Sequence, residues 1–384
     1  MKPILNTLFP ICSFAVAVSG ATFTNSVQAN DVSGDRSDDI ERMIVTATRH
    51  NTLDTDLAMS VDSVSEAELA IDNGQHVGES LNSMAGVYVN QLSGGQGHKA
   101  AIRMPINTSG YYLYLQDNVP LQSPAFFNHN GLWWSSFNAN VSRMEVIKGA
   151  GTALYGSGAV AATVNILSAD VASSPEASAG MLLGEDEYRK LQVSYSSPLN
   201  QQQGIRVSAA NVHSDGWREH IGVDKSEINL RHEYELSGDE RIVTSIILSD
   251  LSQEMASRLT DEQFATDRTD SGLSDAVLAI DPQRETQYAR VSVQWDKTVN
   301  DQYYSIIPYL RYRTNDYTAT WNKNMPKVAS KVRTFGLLGL ANITFDESSD
   351  FTVGVDIELT EGDQLSFQPL DITTTGWGAD TYLE

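Results

Sequence analysis

Long runs of alternating apolar and polar side chains, beginning near residue 176, most constrain how this chain can fold. In the run Ile228–Leu236 the even positions are mostly apolar and the odd positions are all polar or charged. Similar runs cover residues 289–296 and 351–360. Successive side chains of a strand point to opposite faces of a sheet, so these runs predict long strands with one apolar and one polar face.

Two architectures can use such strands. In a soluble sandwich the apolar face covers a core, whereas in a membrane barrel it faces lipid and the polar face lines the lumen. The connections favour the barrel, because short and long ones alternate as they do between the two rims of an up-and-down barrel. The short ones lie at 196–204, 237–240, 297–302 and 346–350, and the long ones at 213–225, 251–285 and 314–331. The sandwich stays as the alternative.

The first 29 residues have the composition of a secretory signal peptide. Lys2 is followed by the apolar run Ile11–Val18, and the segment Ser26–Ala29 fits a cleavage site. A membrane anchor is the alternative, but the apolar run is too short to span a bilayer. Cys12 is the only cysteine and lies in this segment. We therefore expect an exported protein without disulfides or a cysteine-based zinc site.

Charge and motifs exclude several classes of function. The 384 residues carry a net charge of −23, which argues against nucleic-acid binding. No run of 18 apolar residues predicts a membrane-spanning helix. Phosphate-binding loops, dinucleotide motifs and nucleophile elbows are not found, so we predict no enzyme, no catalytic residue and no cofactor. The acidic connection 251–285 does not have the ligand spacing of an EF-hand, so no metal site is predicted there.

The region 51–170 has a different pattern, typical of a small α+β domain. Ser65 and Glu68 form a capping-box pattern at the start of a short helix. A second helix is expected at 76–84. Strand-like runs follow at 86–91, 100–104, 111–116 and 144–148, and Asp117-Asn118 marks a turn.

Three motifs, in this order, resemble those of TonB-dependent outer-membrane receptors. The first resembles the energy-coupling TonB box and consists of Met43, Ile44, Val45, Thr46 and Ala47. The second, Tyr112–Leu121, is similar to a turn-containing plug segment in which Asn118 replaces the usual glycine. The third, residues 141–167, resembles the motif that closes the plug.

The resemblance implies a complete domain plan. Residues 1–29 would be the signal peptide, 30–50 a flexible N-terminus with the TonB box, 51–170 the plug, and 171–384 the first part of a transmembrane β-barrel. The fold class is thus an α+β plug followed by an antiparallel barrel. About nine of roughly 22 strands are expected in this chain, which would make it a fragment. A monomer in outer-membrane lipid is expected for the complete protein.

The resemblance also implies a function. Substrate would bind at the outer face, and the inner-membrane protein TonB would pull on the box to drive import. A ferric siderophore is the expected substrate, while cobalamin, haem or a carbohydrate stays open. A passive pore or adhesin and a secreted β-sandwich binding module are the alternatives from other classes. Only 30–42 separates the predicted cut from the box, so no signalling domain is expected there.

Site residues follow from the same resemblance. The candidate ligand-binding residues in two plug loops are Gln96, His98, Phe126, Phe127, His129, Trp133 and Trp134. The alternative for the two tryptophans is that they begin a buried helix, and the alternative for the histidines is a structural hydrogen bond. Arg103, Arg143 and Glu145 resemble plug positions that form ion pairs with the barrel wall, and solvated surface charges are the alternative.

The alternation further predicts which barrel positions tolerate charge. Leu230 should face lipid, so an arginine there should be costly. Asn229 should face the lumen or the plug, and because the lumen is wet an arginine there should cost little. The same reasoning predicts tolerance at Asp356 and Glu358, and intolerance at Val355 and Ile357.

Overall fold

The computed structural model describes residues 44–45, 49, 52–53, 59–72, 74, 76–92, 97–106, 110–122, 131–156, 158–300, 302–320, 327–346 and 349–367. The predicted signal peptide and the segment 30–42 lie outside these residues, so both stay predictions. Within the described part, no helix is both long and apolar enough to cross a membrane.

A small α+β domain precedes the long strands. Two short strands, β1 (Ile44–Val45) and β2 (Thr52–Leu53), pair antiparallel. The later strands are β3 (Ser60–Ser65), β4 (Val87–Gln91), β5 (His98–Ile102), β6 (Tyr112–Gln116), β7 (Val119–Pro120), β8 (Arg143–Lys148) and β9 (Ala162–Leu167). They form a five-stranded sheet of order β3-β8-β9-β6-β7 and a hairpin, β4-β5. The helices are α1 (Glu66–Asp72), α2 (Val77–Asn82) and α3 (Thr152–Tyr155).

The predicted local signals explain several of these elements. The Ser65 hydroxyl lies 3.4 Å from the Glu68 amide, and a Glu68 carboxylate oxygen accepts from the Ser65 amide at 2.8 Å, so the predicted capping box is confirmed. Asp117 and Asn118 both have positive φ, 51° and 64°, and form the tight turn between β6 and β7. The four predicted strand runs are confirmed as β4, β5, β6 and β8, whereas β3 and β9 were not assigned from the sequence.

Nine long antiparallel strands follow in chain order. They are β10 (Glu176–Leu183), β11 (Arg189–Pro198), β12 (Gln203–Ser214), β13 (Val223–Ser237), β14 (Glu240–Glu254), β15 (Gln283–Val299), β16 (Gln302–Thr318), β17 (Lys327–Asp346) and β18 (Ser349–Phe367). Each strand pairs with its sequence neighbour. Within the described residues β10 and β18 each have one paired neighbour, so the sheet is not closed.

The connections between these strands alternate in length, as predicted. Short links at 199–202, 238–239, 300–301 and 347–348 define one rim of the sheet. Longer links at 184–188, 215–222, 255–282 and 319–326 define the other rim, and the longest carries α4 (Asp261–Thr266) and α5 (Asp275–Leu278). The nine-stranded antiparallel sheet therefore has the connectivity of part of an up-and-down barrel.

The α+β domain packs against the polar face of this sheet. Its main apolar cluster extends onto the sheet through Ile247, Leu251 and Tyr288. A smaller cluster joins Val119 to Ile307, Tyr309 and Leu338. The opposite face exposes large apolar side chains, including Val355 and Ile357 at 63% and 46%. The predicted division into two faces is therefore confirmed.

Candidate functional site

The predicted coupling segment is extended where the structure describes it. Ile44 lies opposite Leu53, and Val45 lies opposite Thr52, in a sheet of two strands. Met43, Thr46 and Ala47 lie outside the described residues. Within the described part β1 has a neighbour on one side only, so its other edge is open to pairing with a further strand.

Arg49 ties the chain after this segment to the barrel wall. Its guanidinium donates to both carboxylate oxygens of Asp356 in β18, each at 3.0 Å, and to the Leu154 carbonyl at 3.0 Å. The Arg49 backbone has φ 68°, an uncommon value for a residue other than glycine. The bidentate geometry gives a directional, charge-assisted contact between the two parts of the chain.

A buried ion pair on β13 forms hydrogen bonds with the plug segment that follows the two tryptophans. Glu227 of β13 accepts hydrogen bonds from the Asn138 amide at 2.7 Å and the Ala139 amide at 3.0 Å. Lys225 lies 2.7 Å from Glu227 and donates to the Ser135 carbonyl at 3.1 Å. Both charged side chains are almost fully buried. The strand thus presents a lysine to a main-chain acceptor and a carboxylate to main-chain donors of the plug.

Asn229 contacts the plug directly and is fully buried. Its amide group donates to the hydroxyls of Ser136 at 3.2 Å and Ser168 at 3.0 Å. Gln116 of β6 donates to the same two hydroxyls. The expectation that position 229 faces the lumen or the plug is therefore confirmed, but the plug buries it, so the wet surroundings expected there are not found.

The turn between β6 and β7 is held by two barrel arginines. Arg290 of β15 donates to the Gln116 carbonyl at 2.6 Å and lies 3.3 Å from a carboxylate oxygen of Asp117. Arg311 of β16 donates to the Pro120 carbonyl at 2.6 Å and pairs with Glu358 at 2.9 Å. These contacts argue against the expected tolerance at Glu358 and Asp356, since the two carboxylates pair with Arg311 and Arg49.

The two adjacent tryptophans lie in a short 3₁₀ helix, Gly131–Trp134, whose four residues are all buried. Arg284 stacks over Trp133 with 4.3 Å from the guanidinium carbon to the ring centroid, and Arg313 stacks over Trp134 at 4.4 Å. Both arginines come from the sheet, so cation–π contacts join plug and wall here. This placement supports the alternative of a buried helical turn for Trp133 and Trp134.

His98 is also fully buried. Its ring lies 5.4 Å from Tyr114 and 6.4 Å from Trp133, measured between centroids. These positions place His98 and the two tryptophans in the plug core rather than on an open surface. Gln96, Phe126, Phe127 and His129 lie outside the described residues, so ligand contact at all seven candidates stays a prediction.

The three residues that the resemblance predicts to form ion pairs with the barrel wall have other surroundings in the structure. Arg143 lies 2.8 Å from Glu145, so these two residues of β8 pair with each other inside the plug. Arg103 is exposed, and among the described residues no ion pair is found for it. Among the described residues, the plug-side residues that form ion pairs with the sheet include Arg49, Asp117 and Asp170, whose partners lie 307, 173 and 61 positions away. No local sequence signal marks such pairs.

Two buried tyrosines of the plug stay neutral. Desolvation raises the pKa of Tyr114, and a smaller effect comes from Tyr112. Desolvation also raises the pKa of Tyr155, against an opposing influence of the Arg49 cation. Neither phenol therefore supplies a charge at neutral pH.

Comparison with known proteins agrees with this architecture. Residues 54–163 match the family model described as TonB-dependent Receptor Plug Domain. A sequence relative is the vitamin B12 transporter BtuB of Vibrio vulnificus (strain CMCP6), 26% identical over 198 residues. That match covers 51% of this chain and 31% of the transporter, so it spans about a third of the relative's length.

Two solved structures share the fold. The ferric citrate transporter FecA in its unliganded form has a TM-score of 0.71 at 15% identity, covering 84% of this chain and 51% of that one. The ferripyoverdine receptor of Pseudomonas aeruginosa, bound to ferripyoverdine, has a TM-score of 0.68 at 14% identity, covering 88% and 47%.

The fold and the plug match define the class of protein. The chain contains a receptor plug followed by nine antiparallel strands of the barrel type. Its plug, residues 54–163, is of the TonB-dependent receptor type, as the three sequence motifs indicated.

Proposed function

We propose that this protein is an outer-membrane importer driven by TonB. The observation that supports this proposal most is the attachment of the plug. An extended strand with an open edge, β1, is followed by Arg49, which is hydrogen-bonded to Asp356 of the sheet. A force applied to β1 would reach this ion pair before the rest of the plug.

The contacts beyond Arg49 suit a plug that moves. Arg290 and Arg311 hold the β6–β7 turn through main-chain carbonyls, and Asn229 holds two serine hydroxyls. Water can replace such hydrogen bonds at a small net cost once a gap opens. The polar part of the wall therefore allows the plug to shift there at a small net cost.

The proposed substrate is a ferric siderophore. Support comes from the shared fold with FecA and with the ferripyoverdine receptor, whose names state ferric ligands. Cobalamin is the second candidate, because the sequence relatives are vitamin B12 transporters. Both substrates are bulky metal chelates. TonB as partner, an outer-membrane location and a monomeric state belong to the same proposal.

The experiment is uptake by a strain that lacks the native receptor and expresses the complete gene. Radiolabelled ferric siderophores and cobalamin are supplied with and without a protonophore. The proposal expects uptake of one of these chelates that stops when the proton-motive force collapses or when TonB is deleted. Uptake that persists under both treatments would instead support a passive pore.

A further inference from the structure

Three metal-ligating side chains meet on the rim with the long connections. His220 lies in the link 215–222, Glu254 ends β14, and Asp281 lies just before β15. One ligand atom from each residue lies within 4.8 Å of the others. The sequence separates these residues, and the acidic connection alone had indicated no metal site. In the folded sheet, His220 of the link 215–222 lies beside Glu254 and Asp281 at the two ends of this acidic connection.

Two of these side chains have one atom fixed by the main chain. The Nε2 atom of His220 lies 3.0 Å from the Pro282 carbonyl oxygen, which fits donation of its proton to that oxygen. The Oε2 atom of Glu254 accepts from the Gly222 amide at 2.9 Å. The Nδ1 lone pair of His220 and the Oε1 atom of Glu254 are therefore left for a shared ligand.

Asp281 is oriented in the same way. Its Oδ2 atom accepts a hydrogen bond from the Gln283 amide group at 2.6 Å, which leaves Oδ1 available. The Oδ1 atom lies 4.0 Å from His220 Nε2, at the edge of the cluster. His220 and Glu254 thus each have one polar atom held by the main chain and a second one directed toward the other, and a ligand atom of Asp281 lies within 4.8 Å of theirs.

The separation between His220 and Glu254 suits an ion between them. Nδ1 and Oε1 are 3.6 Å apart, too far for a hydrogen bond. Two ligands bound to zinc at about 2.0–2.2 Å, at a tetrahedral angle, lie about 3.3–3.6 Å apart. The two atoms therefore have the spacing of ligands to a common metal ion.

We propose that His220, Glu254 and Asp281 bind a divalent transition-metal ion of the zinc type. Imidazole nitrogen with carboxylate oxygens is a ligand set for zinc and its neighbours, whereas calcium takes oxygen ligands. Three protein ligands leave a further position for water or an exogenous ligand. This site goes beyond the import function and does not depend on it.

Metal binding would join two outer connections. His220 belongs to the link 215–222, while Glu254 and Asp281 stand at the two ends of the link 255–282. A bound ion would close the base of the longer link and tie it to the shorter one. We expect this to slow cleavage by trypsin at Arg258 and Arg268 within the longer link.

The same rim supplies a matched control. His213 also faces two carboxylates, but its Nδ1 atom lies only 2.7 Å from Asp224, at direct hydrogen-bond distance. Asp215 lies 3.4 Å from the other ring nitrogen, so a carboxylate lies close to each nitrogen of His213 and leaves less room for an ion than the 3.6 Å between His220 and Glu254. A His213→Asn variant therefore removes an equivalent histidine without removing a proposed ligand.

The test is calorimetric titration of zinc chloride into the full chain, folded in detergent and freed of metal with EDTA. We expect one saturable site per chain in the wild type and in His213→Asn. His220→Asn should weaken binding at least about tenfold, and asparagine tolerates the left-handed backbone at this position, φ 60°. Asp281→Asn, at an exposed position, gives a second variant that does not endanger folding.

Cobalt supplies an independent spectroscopic measurement. Its visible absorption bands should appear in the wild type and His213→Asn and be lost in His220→Asn. Zinc should also slow trypsin cleavage at Arg258 and Arg268 in the wild type and in His213→Asn, but not in His220→Asn. A wild type without a saturable zinc site, or equal binding by His220→Asn, would overturn the proposal. Calcium binding of equal strength that survives the loss of His220 would overturn it as well.

Discussion

Arg49 and Asp356 are separated by 307 positions in the chain and form a bidentate ion pair with 3.0 Å contacts. Arg49 follows the predicted TonB box by two residues, and Asp356 lies on β18. The pair therefore connects the coupling segment to the barrel wall. Arg49 also lies over the Tyr155 ring, 5.9 Å from its centroid, so it bridges plug and wall at one point.

Removal of this ion pair should free the coupling segment. We expect Asp356→Asn to increase the rate at which a cysteine at position 45 reacts with a maleimide, by several-fold. The mature chain is expected to contain no other cysteine, since Cys12 lies in the predicted signal peptide. Asp363→Asn on the same strand is the control, because among the described residues Asp363 makes no ion pair. Equal labelling rates in the two variants would show that Arg49 does not restrain the segment.

Backbone pairing by the box can be tested at Val45. Val45→Pro removes an amide donor and fixes φ, so it should prevent both pairing with Thr52 and addition of a partner strand. Energy-dependent uptake should fall to background while ligand binding at the cell surface persists. Val45→Ala keeps the amide and should transport normally. Normal uptake by the proline variant would remove the assignment of residues 43–47 as the coupling segment.

Glu227 should be essential for seating the plug. Glu227→Gln would leave the buried Lys225 ammonium without its anion, a change that typically costs about 3–5 kcal/mol. We expect a lower urea midpoint and faster proteolysis near Asn138. The control is Glu235→Gln, which changes an exposed carboxylate on the same strand. It should leave the urea midpoint and the rate of proteolysis unchanged. If the two variants were equally stable, the buried pair would not anchor the plug.

The two faces of β13 should respond differently to charge. Leu230 lies at the centre of the strand on the face away from the plug, so Leu230→Arg should cost about 2–4 kcal/mol in a bilayer. Asn229→Arg should also destabilise, but through displacement of the Ser136 and Ser168 hydroxyls by a larger charged group. Folding into liposomes, read by gel mobility and urea titration, measures both effects. A version from which the plug is deleted should tolerate Asn229→Arg but not Leu230→Arg.

The capping box of α1 should depend on pH. Hydrogen bonds from the Ser65 amide and hydroxyl lower the pKa of Glu68 relative to an unfolded chain. Since the folded pKa is the lower one, the stabilisation is present above the unfolded value and is lost as pH falls through the folded value. Fraying of α1 should therefore increase on acidification in the wild type. In Glu68→Gln, fraying measured by hydrogen exchange should not show this added dependence.

Local patterns in the sequence were sufficient for many of the elements and for the order of the long strands. The capping box at Ser65, the turn at Asp117-Asn118 and the alternation in β13 each act through neighbours in the chain or through a fixed side-chain period. Connection lengths ordered the nine strands, because antiparallel neighbours need only short links. The resemblance of three motifs then identified the plug.

The residues that hold the plug could not be predicted in the same way. Arg143 and Glu145 were expected to reach the wall, but their spacing on one strand lets them pair with each other. The wall residues that hold the plug, such as Arg290 at the Gln116 carbonyl, contact main-chain groups that carry no side-chain signature. Position 229 was expected to be wet because alternation reports only which face a residue occupies.

The sequence by itself determined that an α+β plug is followed by antiparallel strands, the order of those strands and the face on which each barrel residue lies, since these follow from local hydrogen bonding and a two-residue period. The tertiary structure alone decided what covers each face. Asn229 donates hydrogen bonds to serines of the plug, and Asp356 forms an ion pair with Arg49. His220 lies close to Glu254 and Asp281, which belong to a different connection. These contacts depend on how the sheet curves and where the plug sits, and no interaction between neighbouring residues in the chain specifies either.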